Sequence, residues 1–149
     1  MKNPTSGNLK IAINSIISAQ SKHVFSLHGR QIKTSGNSYA HLILRGGDGQ
    51  PNFSQEKLQK ATKLLIDNKI ENPAIIVDVS HENCIDPETG KKDANLQPGI
   101  IQDILNSISN DENIDKVVKG FMVESFLQGG NQNLNNFEKS EDLENGKSV

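Results

Sequence analysis

The sequence predicts an α/β fold built on a parallel sheet, and three observations carry that reading. Short apolar runs, Ala40 to Leu44 (AHLIL), Ala74 to Val77 (AIIV) and Val117 to Val123 (VVKGFMV), are rich in branched residues. Each is bounded by turn residues, as strands are. Between them lie segments with apolar residues at helical spacing, and alternating strands and helices argue for parallel βα units. Each run also ends in a side chain able to do chemistry: Arg45 after the first, His81 after the second, Glu124 after the third. In parallel α/β folds the C-terminal rim of the sheet is where ligands bind.

In chain order, Thr5, Ser6 and Asn8 supply turn and cap chemistry. Leu9, Ile13, Ile16 and Ile17 then recur at helical spacing, which predicts a helix over Leu9 to Gln20 with one apolar face. From His23 to Thr34, Val24, Phe25 and Leu27, then Ile32 and Thr34, flank His28-Gly29-Arg30, the pattern of a β-hairpin. Ser35 to Ser38 is a turn before the Ala40 strand. Ser54 caps a second helix, with Leu58, Ala61 and Leu65 inward and Pro73 beyond its end. The Ala74 strand is apolar enough to be buried on both faces. Asn83 to Gln97 reads as a polar loop. Ile101, Ile104, Leu105 and Ile108 mark a third helix, Asn110 to Asp115 a turn, and the Val117 strand follows. From Gln128 the chain is Asn-, Gly- and acid-rich without periodicity, so 126–149 reads as a long loop or frayed end.

At 149 residues the chain can form one domain with a core, and 1–149 is read as one. A closed eight-stranded barrel typically needs about 250 residues, so the pattern predicts either a small open sheet or part of a barrel. A net charge of -2 gives no basic field, and no nucleic-acid partner is implied. Cys84 is the single cysteine, which excludes a disulfide framework and suits a reducing, cytoplasmic setting. No run approaches the roughly 18 apolar residues of a membrane span, so no membrane is implied. Both ends look cut: Met1-Lys2-Asn3-Pro4 has no lead-in, and Gly146-Lys147-Ser148-Val149 stops without a closing helix.

Imidazole and carboxylate both bind transition metals, so His81 and Glu124 at successive strand ends are candidate ligands. An isolated strand-end histidine is also commonly a hydrogen-bonded loop residue. Arg45-Gly46-Gly47 offers a guanidinium fork and approachable backbone N–H groups to a phosphate, although a plain turn explains it as well. Lys2 is a candidate anion contact or a solvated terminal lysine. Cys84 and His81 lie in one loop with no orienting partner evident, which argues against a Cys–His nucleophile. Lys91-Lys92 reads as a solvated loop.

Five motifs in order resemble one family: Lys2-Asn3-Pro4-Thr5-Ser6-Gly7-Asn8; Leu42-Ile43-Leu44-Arg45-Gly46-Gly47; Asp78-Val79-Ser80-His81-Glu82-Asn83; Gly120-Phe121-Met122-Val123-Glu124-Ser125 with Gly130-Asn131-Gln132; and Gly146-Lys147-Ser148. They resemble the type I, feedback-regulated 3-deoxy-D-arabino-heptulosonate-7-phosphate (DAHP) synthases over nearly the whole chain. The resemblance implies a partial (β/α)8 barrel, about strands four to seven, with residues 23–35 as an inserted hairpin. It implies condensation of phosphoenolpyruvate with erythrose 4-phosphate, the first step of aromatic amino-acid synthesis, with a divalent metal of the manganese, iron, zinc or cobalt class. Lys2 and Arg45 match residues that hold phosphoenolpyruvate, and His81 and Glu124 match two of four metal ligands. Phe25, Leu27 and Ile32 match a hairpin that helps form an aromatic amino-acid feedback site. A homo-oligomer is implied for the full-length parent.

The chain departs from the family where segments are missing. The first metal ligand, a cysteine, and the Lys-Pro-Arg-Thr motif that contacts erythrose 4-phosphate both lie upstream of any residue here. The last ligand, an aspartate, follows the point where Val149 ends the sequence. Leu27 stands where many members carry a small polar residue. The chain is therefore expected to be a fragment, inactive alone. The alternatives are a non-catalytic truncated or split-barrel product that acts with a partner chain, and an octulosonate-phosphate-type synthase.

Overall fold

In the computed structural model, residues 1–130, 132–136 and 142–148 are described; Asn131 and Val149 of the quoted motifs lie outside them. Two sheets form. The first is the hairpin of β1 (Val24–Leu27) and β2 (Arg30–Lys33), antiparallel with Phe25 opposite Ile32. His28 and Gly29 turn it, both with positive φ. The second is parallel, in the order β3 (Leu42–Leu44), β4 (Ile75–Asp78) and β5 (Val118–Met122). Lys2 bridges Ile43 in parallel, with the Asn3 N–H donating to Ile43 O and the Ile43 N–H to Met1 O, so the first residues extend the sheet beyond β3.

The helices α1 (Leu9–Gln20), α2 (Gln55–Asp67) and α3 (Gln97–Asn110) form as the apolar spacing predicts. They cover one sheet face, where Ile13, Ile16, Leu58, Leu65 and Ile104 meet Leu42, Leu44, Ile75 and Val77 in a single core. At the other face Ile43 and Ile76 are only half-buried, so β4 is not sealed on both sides as its apolarity suggested. Ile17 and Leu105, expected inside, are exposed at the edges of their helical stripes. Asn8 caps α1, its side chain accepting from the Lys10 N–H at 3.0 Å. Asn8→Ala is expected to cost about 1 kcal/mol, read as a lowered urea midpoint with an unchanged slope.

Two expected loops carry more structure than their composition suggested. The turn over Asn110 to Asp115 is instead the short helix α4 (Glu112–Val117), and β5 starts one residue later than predicted. Asp111 accepts the N–H groups of Asn113 and Ile114, so the polar cluster starts a helix, and buried Ile114 anchors it. The polar loop 83–97 contains turns of 3-10 helix at both ends, His81–Cys84 and Ala94–Leu96. The first strand is also shorter than Ala40 to Leu44, because the Ala40 N–H closes a turn onto Asn37 O.

In the C-terminal segment, Gln128 N–H donates to Gly146 O and Gln132 N–H to Ser148 O, so these described residues lie against one another. Between β4 and β5 the register slips: Ile75 faces Val118, but Ile76 faces Gly120, leaving Lys119 as an extra residue.

Candidate metal and anion site

The sequence Asp78-Val79-Ser80-His81-Glu82-Asn83 leaves β4 and closes on itself. Val79 N–H donates to Met122 O, which holds the ends of β4 and β5 together. Ser80 N–H donates to Asp78 Oδ1 at 3.1 Å. Asn83 Nδ2 donates to Asp78 O at 2.7 Å and to Leu44 O at 3.3 Å, tying this turn to the end of β3. His81 takes a φ of 52°, a left-handed conformation that is strained for a residue with a Cβ. Such strain persists where surrounding contacts over-determine it, and it clusters at functional sites.

The imidazole faces two carboxylates. His81 Nδ1 lies 2.9 Å from Asp78 Oδ2, and Nε2 lies 3.5 Å from Glu124 Oε1. Glu124 is positioned by Gln97, whose side chain donates to Glu124 O at 2.7 Å and accepts from its N–H at 3.3 Å. Ser80 Oγ donates to Glu124 Oε2 at 3.2 Å. Lys2 Nζ lies 2.8 Å from Asp78 Oδ2. Burial pushes the Asp78 carboxyl up, but the nearby Lys2 and His81 pull it down further, so it is held below the usual carboxylate range.

Arg45 follows β3 on the same rim. Its N–H donates to Asn3 Oδ1 at 3.0 Å, and its carbonyl accepts the Glu82 N–H. Asn3 is buried and also donates to Gly46 O at 2.7 Å, while Asn52 donates to Asn3 Oδ1 and receives a bond at its side chain from Gly46 N–H. The guanidinium Nε is buried with no hydrogen-bond partner among the described residues. A buried donor left unpaired is costly and points to a missing acceptor.

The structure thus brings Lys2 and His81 together on one aspartate, sets Glu124 at the other nitrogen of the imidazole, and places Arg45 on the adjoining loop. Asp78 was visible as the polar end of the apolar run, but its central position was not; Asn3 and Asn83 stood in the quoted motifs without a role, and Gln97 only marked the end of a polar loop. The hairpin residues are elsewhere: Phe25 and Leu27 are exposed and Ile32 half-buried. Cys84 is buried, its thiol pushed up by that burial, and its Sγ donates to His81 O at 3.5 Å, which fits a structural thiol better than a nucleophile.

The donor set fits a divalent cation. Asp78, His81 and Glu124 offer ligand atoms within 4.8 Å of one another. Two ligands each about 2.1 Å from a shared tetrahedral ion stand about 3.4 Å apart, close to the gap between His81 Nε2 and Glu124 Oε1. Asp78 is the weaker candidate for direct ligation, because its Oδ2 already faces Lys2 and the far nitrogen of the imidazole. A carboxylate on the second nitrogen is the usual support of a ligating histidine.

Fold and site together define a parallel α/β protein with a candidate metal-and-anion site at the C-terminal rim of its sheet. The sequence profile of the DAHP synthetase I family matches residues 1–149, and the chain belongs to that family. It is 36% identical over 138 residues to a phospho-2-dehydro-3-deoxyheptonate aldolase of Corynebacterium glutamicum, covering 89% of this chain and 34% of that one. It is 36% identical over 154 residues to the Phe-sensitive aldolase of the same name from Escherichia coli K12, covering 99% and 40%. A solved aldolase of this name from Francisella tularensis superposes with a TM-score of 0.78 at 31% identity, over 99% of this chain and 40% of that one. The chain spans 34% to 40% of the length of these relatives. No helix among the described residues is long and apolar enough to cross a membrane.

Proposed function

We propose that this chain supplies part of the active site of a 3-deoxy-7-phosphoheptulonate synthase, which condenses phosphoenolpyruvate with erythrose 4-phosphate. The observation that carries the reading is the convergence of Lys2 and His81 on Asp78, with Glu124 at the other nitrogen of His81, beside an arginine whose buried Nε has no partner among the described residues. The chain is then a sector of a (β/α)8 barrel, about strands four to seven, which the likeness over 99% of the chain supports.

Lys2 and Arg45 hold phosphoenolpyruvate, the Arg45 fork on its phosphate, where guanidinium geometry suits two parallel bonds. Holding an anionic substrate in one orientation removes entropy that the reaction would otherwise have to overcome. His81 through Nε2 and Glu124 through Oε1 hold the divalent cation, of the manganese, iron, zinc or cobalt class. When bound, such an ion polarises a carbonyl or activates a water. Asp78 fixes the imidazole from behind, Gln97 holds the Glu124 backbone, and Ser80 holds its carboxylate. Phe25, Leu27 and Ile32 form part of a site for an aromatic amino-acid effector, which suits the exposed apolar side chains of the hairpin. A homo-oligomer completes that assembly.

The sequence offers two of the family's four metal ligands and lacks the erythrose 4-phosphate motif. The purified 149-residue chain is therefore expected to bind manganese and phosphoenolpyruvate without turnover. His81→Ala should weaken manganese binding by more than the roughly 10–100-fold typical of losing a supporting residue. Manganese titration followed by electron paramagnetic resonance, beside an assay of phosphoenolpyruvate consumption, reads both. Turnover that His81→Ala abolishes would show the chain to be a complete enzyme, and unchanged manganese affinity would remove His81 from the metal site.

A further inference from the structure

The geometry assigns to Asp78 a second task, the coupling of the metal and anion halves of the site. This rests on the reading of Lys2 as an anion contact and of His81 as a metal ligand. The supporting fact is that one oxygen serves both. Asp78 Oδ2 lies 2.8 Å from Lys2 Nζ and 2.9 Å from His81 Nδ1, while Oδ1 is engaged by the Ser80 N–H. The Asp78 side chain is fully buried, so its charge acts through a medium poorer than water at screening. Lys2 is 36% exposed and can swing, whereas His81 is held by its turn.

Neither Oδ2 nor Nδ1 has a well-aligned hydrogen-bond partner, although both contacts are short. The oxygen sits between two donors and satisfies neither fully. Donation of the Nε2 lone pair to a cation makes Nδ1–H a stronger donor and draws Oδ2 toward the imidazole. What His81 gains Lys2 loses, and the ammonium is freer to meet an anion. The reverse follows from linkage: an anion that draws Lys2 away leaves the Asp78 charge to His81 alone, and Nε2 becomes a better ligand. Cation and anion therefore bind with positive coupling, carried by one carboxylate.

The distinguishing consequence is a difference in sign. Asp78→Asn keeps the shape and loses the charge, and should weaken manganese binding by about 10–100-fold. Lys2→Met removes the competitor for Oδ2 and should tighten manganese binding several-fold in the absence of any anion. In the double variant the Lys2 effect should vanish, because the charge it competes for is gone. A purely structural role for the cluster predicts that both single changes loosen the metal.

The measurement is manganese affinity by electron paramagnetic resonance on the full 149-residue chain at mildly alkaline pH, with and without phosphoenolpyruvate. Circular dichroism checks the fold of each variant. If Asp78→Asn fails to fold, Lys2→Met alone still decides, because Lys2 lies at the surface. Tighter manganese binding by Lys2→Met, with weaker dependence on phosphoenolpyruvate, supports the coupling. Looser or unchanged binding by Lys2→Met, in a chain whose wild type binds both manganese and phosphoenolpyruvate, overturns the coupling and leaves the proposed function standing. A wild type that binds no manganese overturns both.

Discussion

Gly46→Ala is expected to lose both stability and affinity for phosphoenolpyruvate. Gly46 has a φ of 76°, and an added Cβ would stand 2.5 Å from Glu82 Cβ and 2.7 Å from the Glu82 carbonyl carbon. The left-handed conformation alone costs on the order of 1–3 kcal/mol for a residue with a side chain. The obstruction is backbone of the turn that carries His81, so relief requires that turn and the loop after β3 to move apart. Glu82 N–H would then be pulled from Arg45 O, and Gly46 would part from Asn3 and Asn52. A loss of at least about 3 kcal/mol in urea unfolding is the expected result, since clash and lost hydrogen bonds add to the strain. Calorimetric titration with phosphoenolpyruvate should show weaker binding under conditions where the variant remains folded. An unchanged midpoint would mean that the two loops move more freely than their contacts indicate.

The second large effect lies in the core. Ile104→Ala is expected to cost about 2–5 kcal/mol, because a fully buried isoleucine between α3 and the sheet leaves a cavity the surroundings fill only in part. Its neighbour Leu105 is 41% exposed, and Leu105→Ala should stay near the ±0.5 kcal/mol of ordinary surface changes. Urea denaturation of the two variants side by side checks the pair. Equal losses would place both residues in the core and contradict the helix orientation described above.

That pair also marks what the sequence can and cannot reveal. Ile104 and Leu105 have the same character and adjacent positions, so apolar spacing located α3 but not the edge of its buried stripe. The strands were legible because Ile75-Ile76-Val77 suits little else. The residues His81 and Glu124 were legible because each stands where an apolar run stops. Helix α4 was not, because Asp111 and Asn113 are as much at home in a turn as at a helix start, and only the burial of Ile114 decides between them. Asp78 was seen as an end marker. Its partners come from separate places: Lys2 arrives by pairing beside β3, and His81 by a strained turn. Asn3 is harder still, since its bonds to Arg45 and Asn52 cross 42 and 49 residues. Family resemblance supplied candidate roles for four site residues; coordinates supplied the aspartate between them.

The slipped register of β5 has a further consequence. Asp78 lies opposite Met122, and two more steps along both strands bring Ser80 level with Glu124, matching the bond between their side chains. Were Lys119 paired in the ladder instead of standing out of it, the same count would bring Ser80 level with Val123. Successive residues of a strand point to opposite faces, so β5 has a spatial reading frame, and the pairing of Gly120 with Ile76, with Lys119 left out of the ladder, sets it. Deleting Lys119 would remove the bulge and leave that register unchanged, whereas one residue inserted between Gly120 and Val123 would leave every ligand-type residue in the gene and still bring an aliphatic side chain to the place of Glu124. The length of this strand is thus as much a part of the metal site as the residues that would touch the ion.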